Sequence, residues 1–472
     1  MSQYSNGPAE KDLKRDYDDA PGLTNVPSMA GEAQVHDDVF GDITDEGPNY
    51  RAVGWIGTVA LMMKTQIGLG VLSIPAVFDV LGIVPGVICL IVIAGITTWS
   101  DYMVGVFKRN HPQVYSIDDA GFLIFGKIGR EIFGVAFCLY WIFVAGSGML
   151  GLSIGLNAVS LHGTCTAVFV AVAAICGCCL ASVRTLGRIS MLAWVGLVCI
   201  LTAIFTVTIA VGIQDRPAAA PQTGHWKSDY KVVNNPSFTE GISAISSLVF
   251  AYAGTPGFFS IAAEMKNPKH YTRSLIVCQA GVTITYIVIG CVVYLYCGSY
   301  VASPALGSAG HLIKRVAYGI SLPGLLATTV LVIHFAAKYV FVRLLRNTKH
   351  LTSNSAVHWG TWLACTFITT VIAYLIASGI PVFGGLVSLV GALLGTLMSF
   401  QLYGCMWLYD NYKRGNRNAH WYMMVAFSAF VIVSGTFLMI GGTYGSIVSI
   451  MDSYKADGGS SAFSCADNSN ST

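Results

Sequence analysis

A series of long apolar runs, beginning at Ala52, constrains the fold of this chain more than any other feature. Each run has about the 20 residues that an α-helix needs to cross the ~30 Å hydrocarbon core of a bilayer. Because that core offers backbone N–H and C=O groups no water, such runs are expected to be helical, which predicts an all-α polytopic membrane protein with 11 transmembrane helices. The predicted helices lie near residues 52–78, 83–107, 129–159, 165–183, 189–213, 238–264, 273–299, 322–346, 358–378, 381–408 and 421–447.

The composition is that of a membrane protein and excludes several soluble classes. Hydrophobic residues make up 54 % of the 472-residue chain and charged residues only 11 %, whereas soluble domains carry about 25 % charged residues. A formal net charge of +3 is too small for a phosphate-binding surface, so no nucleic-acid partner is expected. The apolar background and its 51 glycines instead favour close-packed helices in a lipid bilayer.

Residues 1–50 differ from the rest of the chain. They carry three basic residues against eleven acidic ones and show no apolar periodicity, which predicts a disordered acidic tail. The tail lacks the basic start and the apolar stretch of a signal peptide. Its lysines, Lys11 and Lys14, offer acceptor sites to a ubiquitin ligase, and a solvated tail that no partner recognises is the equal alternative.

Basic residues are distributed unevenly between the two sides of the predicted bundle. An odd number of spans places the termini on opposite sides, and 19 of the 27 Lys and Arg residues fall on the side of the N-terminus. Six fall on the other side, and Lys64 and Lys338 lie within spans. Since cytoplasmic segments are enriched in Lys and Arg, we predict a cytosolic N-terminus and an extracellular C-terminus. The Asn470-Ser471-Thr472 sequon would then face outward.

The 13 cysteines show no paired spacing typical of a metal site, and no metal or other cofactor is predicted. Most of them lie within apolar runs and are interpreted as small packing residues. Cys165, Cys297 and Cys465 fall on the predicted outer side. The sequence does not decide whether two of these three form a disulfide or all three are free thiols.

Two of the predicted spans are interrupted in mid-run by helix-breaking residues. The first contains Gly68 and Gly70 ahead of Pro75, and the sixth contains residues 254–257 (GTPG). Each is the first of a set of five spans, and interrupted segments at matching positions indicate a transporter site between inverted repeats. Free N–H groups at a half-helix N-terminus bind a carboxylate and free carbonyls bind an ammonium group, so such a site suits a zwitterion, most simply an amino acid. The predicted substrate-binding residues are Gly68, Leu69, Gly70, Phe250, Tyr252, Gly254 and Thr255.

The alternative for both interruptions is that the glycines and prolines only kink or pack helices. Sequence motifs at both places nevertheless resemble a known family. Residues 68–75 (GLGVLSIP) resemble the first-helix motif of the amino acid/auxin permease family, and residues 250–254 (FAYAG) followed by 264–268 (EMKNP) resemble its sixth-helix motif. Residues 117–121 (IDDAG) also fit. Over about residues 50–450 the chain is similar to this family, and within it to the neutral amino acid permeases of filamentous fungi.

The resemblance implies a five-plus-five inverted repeat of the leucine-transporter type, with helices 1 and 6 broken and an eleventh helix appended. It also implies proton-coupled uptake of neutral aliphatic and aromatic amino acids by alternating access at the plasma membrane, although these residues do not separate plasma from vacuolar membranes. The implied parts are a cytosolic tail (1–50), a first repeat (51–213), an extracellular loop (214–237), a second repeat (238–408), a cytosolic loop with helix 11 (409–447) and an extracellular C-terminal tail (448–472).

Ionisable residues within membrane spans are costly and are usually functional. Lys64 and Glu264 lie on the inner arms of the two broken helices. Either the two residues form a pair that closes the inward path, or each has a separate partner. His334 and Lys338 share a face of span eight near mid-membrane, where sodium-coupled relatives of this fold carry sodium-binding hydroxyl residues. This departure favours proton coupling through span eight, and a histidine bonded within the bundle is the alternative. The predicted coupling or gating residues are therefore His334, Lys338, Lys64 and Glu264.

Asp101 lies toward the inner end of span two. It is interpreted either as part of a solvated helix end or as part of a gate. The function predicted from these features is a secondary transporter rather than an enzyme or an ATP-driven pump. The sequence contains neither an HExxH motif nor a phosphate-cradling GxxxxGK[ST] motif. A nutrient receptor that keeps the transporter fold and signals through residues 1–50 is the alternative function.

Overall fold

The computed structural model describes residues 35–37, 41–43, 53–184, 186–217, 219–221, 223–346, 348–351, 353–380, 382–413, 417–456 and 463–469. Two short strands, Val35–Asp37 (β1) and Gly41–Ile43 (β2), form a two-stranded sheet. The rest of the predicted disordered tail, with Lys11 and Lys14, lies outside the described residues, and so does the sequon at Asn470. The chain divides into a unit Met1–Val35 and a unit His36–Thr472, and the second unit contains all the helices described below.

The first predicted repeat contains six helices, two of which form the first broken span. They are α1 (Trp55–Gln66), α2 (Ile74–Leu81), α3 (Ile83–Asn110), α4 (Ile117–Ser160), α5 (Thr166–Ala181) and α6 (Leu186–Ile213), with a 3-10 turn at Gly70–Leu72 between α1 and α2. Glycine is required at two junctions, because Gly82 (φ 89°) joins α2 directly to α3 and Gly126 (φ 70°) interrupts the helical backbone of α4.

The second predicted repeat and the last span contain eight helices. They are α7 (Phe238–Tyr252), α8 (Thr255–Ala263), α9 (Tyr271–Cys297), α10 (His311–Leu345), α11 (Ala356–Gly379), α12 (Phe383–Val390), α13 (Leu402–Asn411) and α14 (Ala419–Ala456). Two π-helical segments, Gly391–Gly395 and Leu397–Gln401, connect α12 to α13. A capping box starts α7, where the Ser237 N–H donates to Glu240 Oε2 at 2.9 Å and the Glu240 N–H donates to Ser237 Oγ at 3.3 Å.

Within the described residues each of the 11 predicted runs contains at least one helix, although several helices are longer than predicted. α10 begins at His311 rather than at residue 322, and α14 continues to Ala456 rather than to residue 447. Among the described residues, nine helical stretches are long and apolar enough to cross a membrane; α5 is shorter, and the break divides the first span into two short pieces. The count of 11 spans and the inverted repeat remain predictions.

The two broken spans lie at the centre of the helix packing. In the most apolar 18-residue stretch of Phe238–Ala263, which contains α7 and α8, 94 % is buried inside the protein. In the corresponding stretch of α14, 17 % is buried. α7 packs against α2, α12 and α14, whereas α10 packs against α4 and α6. Because polar residues inside a membrane protein are costly and usually functional, those of α7 and α8 are candidates for a function.

A disulfide joins Cys165, which immediately precedes α5, to Cys465 near the C-terminus. Of the open alternatives for the three outer cysteines, the structure therefore selects this pair and leaves Cys297 free and buried. The segment 463–469 lies against the helix ends, where Asn468 Nδ2 donates to Ser153 Oγ at 3.0 Å and Thr166 Oγ1 donates to the Ala466 carbonyl at 2.6 Å. The disulfide and these hydrogen bonds hold the segment on the ends of α4 and α5.

Candidate functional site

The first broken span is interrupted between α1 and α2. α1 ends at Gln66, Ile67 has an extended conformation (φ −76°, ψ 91°), and α2 begins at Ile74 with Pro75 in its first turn. Proline lacks a backbone N–H but fits the first turn of a helix, so Pro75 favours a new helix start over a continuous helix. The interruption leaves the Ile67 carbonyl outside the α-helical hydrogen-bond pattern, and Lys64 Nζ donates to it at 3.2 Å.

The second broken span is interrupted in the same manner between α7 and α8. Ala253 leaves the helical conformation (φ −79°, ψ 45°), and α8 begins at Thr255 with Pro256 in its first turn. Tyrosine hydroxyls bond the carbonyls next to this break: Tyr140 of α4 donates to the Ala253 carbonyl, and Tyr286 of α9 donates to the Ala251 carbonyl at 2.9 Å. Neighbouring helices therefore hold the second break in place.

The two breaks pack directly against each other. A Cβ atom at Gly70 would lie 2.5 Å from Ala251 Cα, and a Cβ atom at Gly254 would lie 3.0 Å from Gln66 Cγ and closer still to the Thr65 hydroxyl. A Cβ atom at Gly68 would lie 2.6 Å from Thr328 Oγ1 of α10. Gly70 therefore permits a close backbone approach between the two breaks, Gly254 faces side chains of α1, and Gly68 faces α10.

The other predicted substrate-binding residues are buried but have different neighbours. A Cβ atom at Gly151 of α4 would lie 3.2 Å from Leu69 Cδ2, and a Cβ atom at Gly391 of the first π-helical segment would lie 2.9 Å from Phe250 Cβ. Tyr252 donates to Thr283 Oγ1 of α9 at 3.0 Å. The structure thus directs Tyr252 toward α9, and Thr255 remains at the break as the first residue of α8.

Two polar side chains at the breaks have unused hydrogen-bonding capacity. Gln66 and Thr255 are both buried. Within the described residues, the two polar atoms of the Gln66 amide and the Thr255 hydroxyl have no hydrogen-bond partner. Buried polar groups in proteins are nearly always bonded, so these atoms are available to a polar ligand. Sequence reasoning included Thr255 but missed Gln66, whose only signal was an isolated amide at the edge of the first break.

The predicted coupling residues form two separate contacts. Glu264, at the end of α8, forms an ion pair with Lys338 of α10, whereas Lys64 donates to the Ile67 carbonyl. All three side chains are buried. The structure therefore supports separate partners for Lys64 and Glu264 over a direct pair between them. Backbone hydrogen bonds also join the two inner arms, since the Val53 N–H donates to the Glu264 carbonyl at 3.1 Å and the Lys266 N–H donates to the Val53 carbonyl at 2.8 Å.

His334 has different neighbours from Lys338. Its ring packs edge-on against Trp362 of α11, with 5.2 Å between the ring centroids. The side chain is buried, and the backbone of Ala181 and Val183 lies beside its ring. The α10 side chain that faces Gly68 at the first break is instead that of Thr328, which sequence reasoning did not single out although it lies within the predicted span 322–346.

Asp101 is fully buried in the middle of α3, so it is not a solvated helix end. Gln279 of α9 donates to its Oδ2 atom, and the Tyr271 hydroxyl donates to its backbone carbonyl at 2.8 Å. Sequence reasoning did not pair Asp101 with Gln279, because the two residues lie 178 positions apart and neither belongs to a periodic pattern.

Two further features bear on alternative chemistry. In the described parts of the chain, no three His, Cys, Asp or Glu side chains are arranged to hold a metal ion. Residues 151–155 (GLSIG) have the spacing of a GxSxG nucleophile motif, but they lie within the helix α4 and Ser153 Oγ donates to the Leu150 carbonyl at 2.8 Å. A nucleophile elbow needs a sharp turn between a strand and a helix, which this segment does not form.

The chain is similar to known membrane transporters. A model of the family described as transmembrane amino acid transporter protein matches residues 51–448. A transmembrane transporter of Gibberella moniliformis is 33 % identical, covering 99 % of this chain and 98 % of that protein. An N amino acid transport system protein of Neurospora crassa is 32 % identical, covering 90 % of this chain and 92 % of that protein. A solved structure of a Na+-coupled sialic acid symporter, in a substrate-bound outward-open state, has the same fold with a TM-score of 0.55 at 13 % identity, covering 85 % of this chain and 91 % of that one.

Proposed function

The chain belongs to the transmembrane amino acid transporter family, and we propose that it carries neutral aliphatic and aromatic amino acids into the cell together with protons. The family membership, the relatives and the leucine-transporter-like fold support amino acid transport by a polytopic membrane protein. The named relatives are transporters, and no observation favours the receptor alternative. The substrate class, the coupling ion and the direction of transport are the parts that we propose.

The observation that carries the proposal is the contact between two broken helices at a buried polar site. Gly70 lies against Ala251 and Gly254 against Gln66, so the two interruptions form one place in the bundle. The unpartnered atoms of Gln66 and Thr255 can bond a carboxylate or an ammonium group. Because Thr255 is the first residue of α8, the positive end of that half-helix also favours a carboxylate at this position.

The side chains around the second break support a neutral substrate. Four of them are aromatic, uncharged and buried in this structure: Phe250, Tyr252, Phe258 and Phe259. A cationic or acidic substrate side chain would lose its hydration against these four aromatic side chains. A leucine or tryptophan side chain would lose little.

For the transport cycle we propose that Lys338, Glu264, Lys64 and His334 act in gating and coupling. The ion pair of Glu264 with Lys338 joins α8 to α10, and the backbone bonds of Val53 join α1 to the end of α8. These contacts close the side that the positive-inside rule assigns to the cytosol. Opening inward requires both to separate, so a change in the charge of either member of the ion pair would alter the free energy of that step.

The proposed location is the plasma membrane, with a cytosolic N-terminus and an extracellular C-terminus. The disulfide between Cys165 and Cys465 supports this orientation, because both cysteines lie on the predicted outer side and disulfides persist in oxidising surroundings. Recognition of Lys11 and Lys14 by a ubiquitin ligase remains a proposal from the sequence.

Competition for uptake tests the proposed substrate class. Purified protein in liposomes, under an inward proton gradient, is expected to accumulate labelled leucine, with protein-free liposomes as the control. Unlabelled leucine and tryptophan should compete, whereas arginine and glutamate should hardly compete. Strong competition by arginine would assign a different substrate class, and folded protein that binds leucine without moving it would favour the receptor.

A further inference from the structure

A buried carboxyl group lies beside the second break without a cation. Asp101 of α3 has no solvent-exposed surface, and it takes part in none of the ion pairs formed within the part of the chain that the structure describes. An ionised carboxylate held in this way is strongly destabilising in the absence of a countercharge. A carboxyl group at position 101 therefore destabilises the folded protein when it is ionised, which indicates a functional role.

The neighbours of Asp101 lie on the two elements that flank the break. Gln279 of α9 donates to Asp101 Oδ2, and the Thr255 side chain of α8 lies next to the carboxyl group. Among the described residues, Asp101 Oδ1, Thr255 Oγ1 and Gln279 Oε1 all have no hydrogen-bond partner. Besides the carboxyl group's own Oδ1 atom, two unused polar atoms thus belong to its neighbours, and one of these neighbours, Thr255, directly follows Gly254.

The two protonation states of Asp101 use these atoms differently. The neutral acid has an O–H group that can donate to Thr255 Oγ1 or to Gln279 Oε1, which are acceptors without a donor. The carboxylate has no hydrogen to donate and depends on the Thr255 hydroxyl and the Gln279 amide as donors. The position of Thr255 relative to α3 therefore decides how well each state is satisfied.

The other titratable groups near Asp101 are not cations. Tyr271 and Cys278 of α9 and Tyr403 of α13 are near enough to interact electrostatically with it. The acidic residues of the remaining packed helices lie elsewhere: Asp79 in the last turn of α2, Glu240 in the first turn of α7, Glu264 in its ion pair with Lys338, and Asp410 of α13 in its contact with His111. In the absence of a substrate ammonium group, a proton is thus the simplest species that can neutralise Asp101.

We propose that Asp101 binds the transported proton and that Thr255 links its protonation to the movement of α8. The proposal rests on the proton coupling proposed above and names the group that carries the proton. In the outward-facing state the proton adds to the carboxylate and forms its O–H bond. When α8 moves with substrate, Thr255 leaves the O–H group, and the proton passes to water on the inner side. At Asp101 only a proton is bound and released, and no group changes its oxidation state.

Replacement of the carboxyl group by an amide tests the proposal. Wild-type protein, Asp101→Asn and the control Asp452→Asn, which changes an exposed carboxyl group of α14, are each reconstituted in liposomes with a trapped pH-sensitive dye. Leucine added to wild type and to the control should acidify the lumen. Asp101→Asn should exchange internal for external leucine, but it should neither acidify the lumen nor accumulate leucine under a proton gradient.

Three outcomes are distinguishable. If leucine enters wild-type liposomes without protons, the proposed function fails and this proposal fails with it. If wild type couples leucine to protons and Asp101→Asn does so equally, the function stands and the proposal is wrong. Loss of coupling with retained exchange in Asp101→Asn supports the proposal, because a merely structural role would remove exchange as well.

A second variant decides the question where Asp101→Asn does not fold. Gln279→Glu places a second carboxyl group beside Asp101, so the pair should hold a shared proton at higher pH than Asp101 alone. The fall of leucine uptake with rising external pH should therefore move to higher pH in Gln279→Glu, while in Asp452→Asn it should not move. An unchanged pH profile in folded Gln279→Glu would overturn the proposal.

Discussion

The three glycines at the breaks differ in what a side chain would meet. At Gly70 the obstacle is the backbone of Ala251, which can move only if α7 moves. At Gly68 it is the hydroxyl end of Thr328, which can rotate, and at Gly254 it is the side chains of Thr65 and Gln66. Tolerance of a small side chain should therefore be lowest at Gly70, since overpacking typically costs about 1–3 kcal/mol where neighbours cannot give way.

Substitution of these glycines should block transport in a graded manner. Gly70→Ala should abolish leucine uptake, whereas Gly68→Ala should reduce it, because only the first forces two backbones apart. Gly68→Val and Gly254→Val should both abolish uptake. The measurement is initial uptake normalised to protein at the cell surface.

Gly95→Ala in α3 is the matched control, because a Cβ atom there would meet nothing within 4 Å. Normal uptake by Gly70→Ala or Gly254→Val protein that reaches the membrane would contradict the assignment of the breaks to the substrate site.

The residues of the candidate site were predictable from the sequence to different degrees. The glycines and prolines of both breaks could be found because helix-breaking residues stand out in an apolar run. Gln66 and the contact of Asp101 with Gln279 could not, because a single polar residue in such a run has no periodicity and its partner is set by tertiary packing. For the same reason the sequence left the partner of Lys64 open, and the structure supplies the Ile67 carbonyl.

At the level of whole elements, helix positions were predicted better than helix ends. Apolar runs mark the part of a helix within the bilayer, but α10 begins earlier, in a segment with charged residues, and α4 includes a helical stretch with Asp118 and Asp119 ahead of the interruption at Gly126. Asp119 can remain there because Arg346 Nη1 donates to its Oδ1 atom at 2.8 Å. This ion pair joins positions 227 residues apart, so hydropathy alone could not have extended the helix through it.

The segment 463–469 is an element that the sequence did not predict. It follows the last helix and is held on α4 and α5 by the disulfide and by Asn468. Asn157 Nδ2 donates to Asn468 Oδ1 at 2.7 Å, so this amide is bonded both as donor and as acceptor. Such a contact between a chain end and the ends of two helices restricts their relative movement on that side of the bundle.

Thiol labelling from outside the cell tests this element and the proposed orientation. In Cys165→Ser protein, the thiol of Cys465 should become reactive to a membrane-impermeant maleimide added outside, whereas wild-type protein should react there only after reduction. Cys297→Ser, which changes a buried free thiol, is the control and should behave as wild type. Labelling of intact wild type without reduction would contradict the disulfide, and labelling of Cys165→Ser only in permeabilised cells would reverse the orientation.

At the scale of the whole molecule, alternating access requires the contacts between the two broken spans and their neighbours to change together. Lys338 and Glu264 form a buried pair between α10 and α8, and removal of one member of such a pair typically costs about 3–5 kcal/mol because the other charge stays buried. The ion pair therefore favours the state in which α8 and α10 are in contact, and the transport cycle must supply the free energy that separates them. Binding of a proton together with substrate can supply this free energy only if both ligands bind the outward-facing and inward-facing states with different affinities.

Uptake should acidify the interior, proceed without sodium and weaken as external pH rises. The sign of the pH effect follows from mass action, because fewer proton sites are occupied from outside at higher pH. His334→Ala and Lys338→Ala should lose accumulation of leucine against a gradient more than they lose exchange of bound leucine. Concentrative uptake and exchange are measured in the same vesicles, with sodium replaced by choline.

Sodium is the decisive variable in that experiment because of Thr328. Its hydroxyl lies against Gly68 at the first break, on the span where sodium-coupled transporters of this fold carry hydroxyl ligands. Loss of uptake in choline, together with loss in Thr328→Val but not in Thr208→Val, which removes a hydroxyl bonded within α6, would replace the proton by sodium and return His334 and Lys338 to structural roles. Full uptake in choline, with coupling lost in Lys338→Ala, would place the coupling in the contact of α10 with α8, because this is the charged contact that the closed state must break.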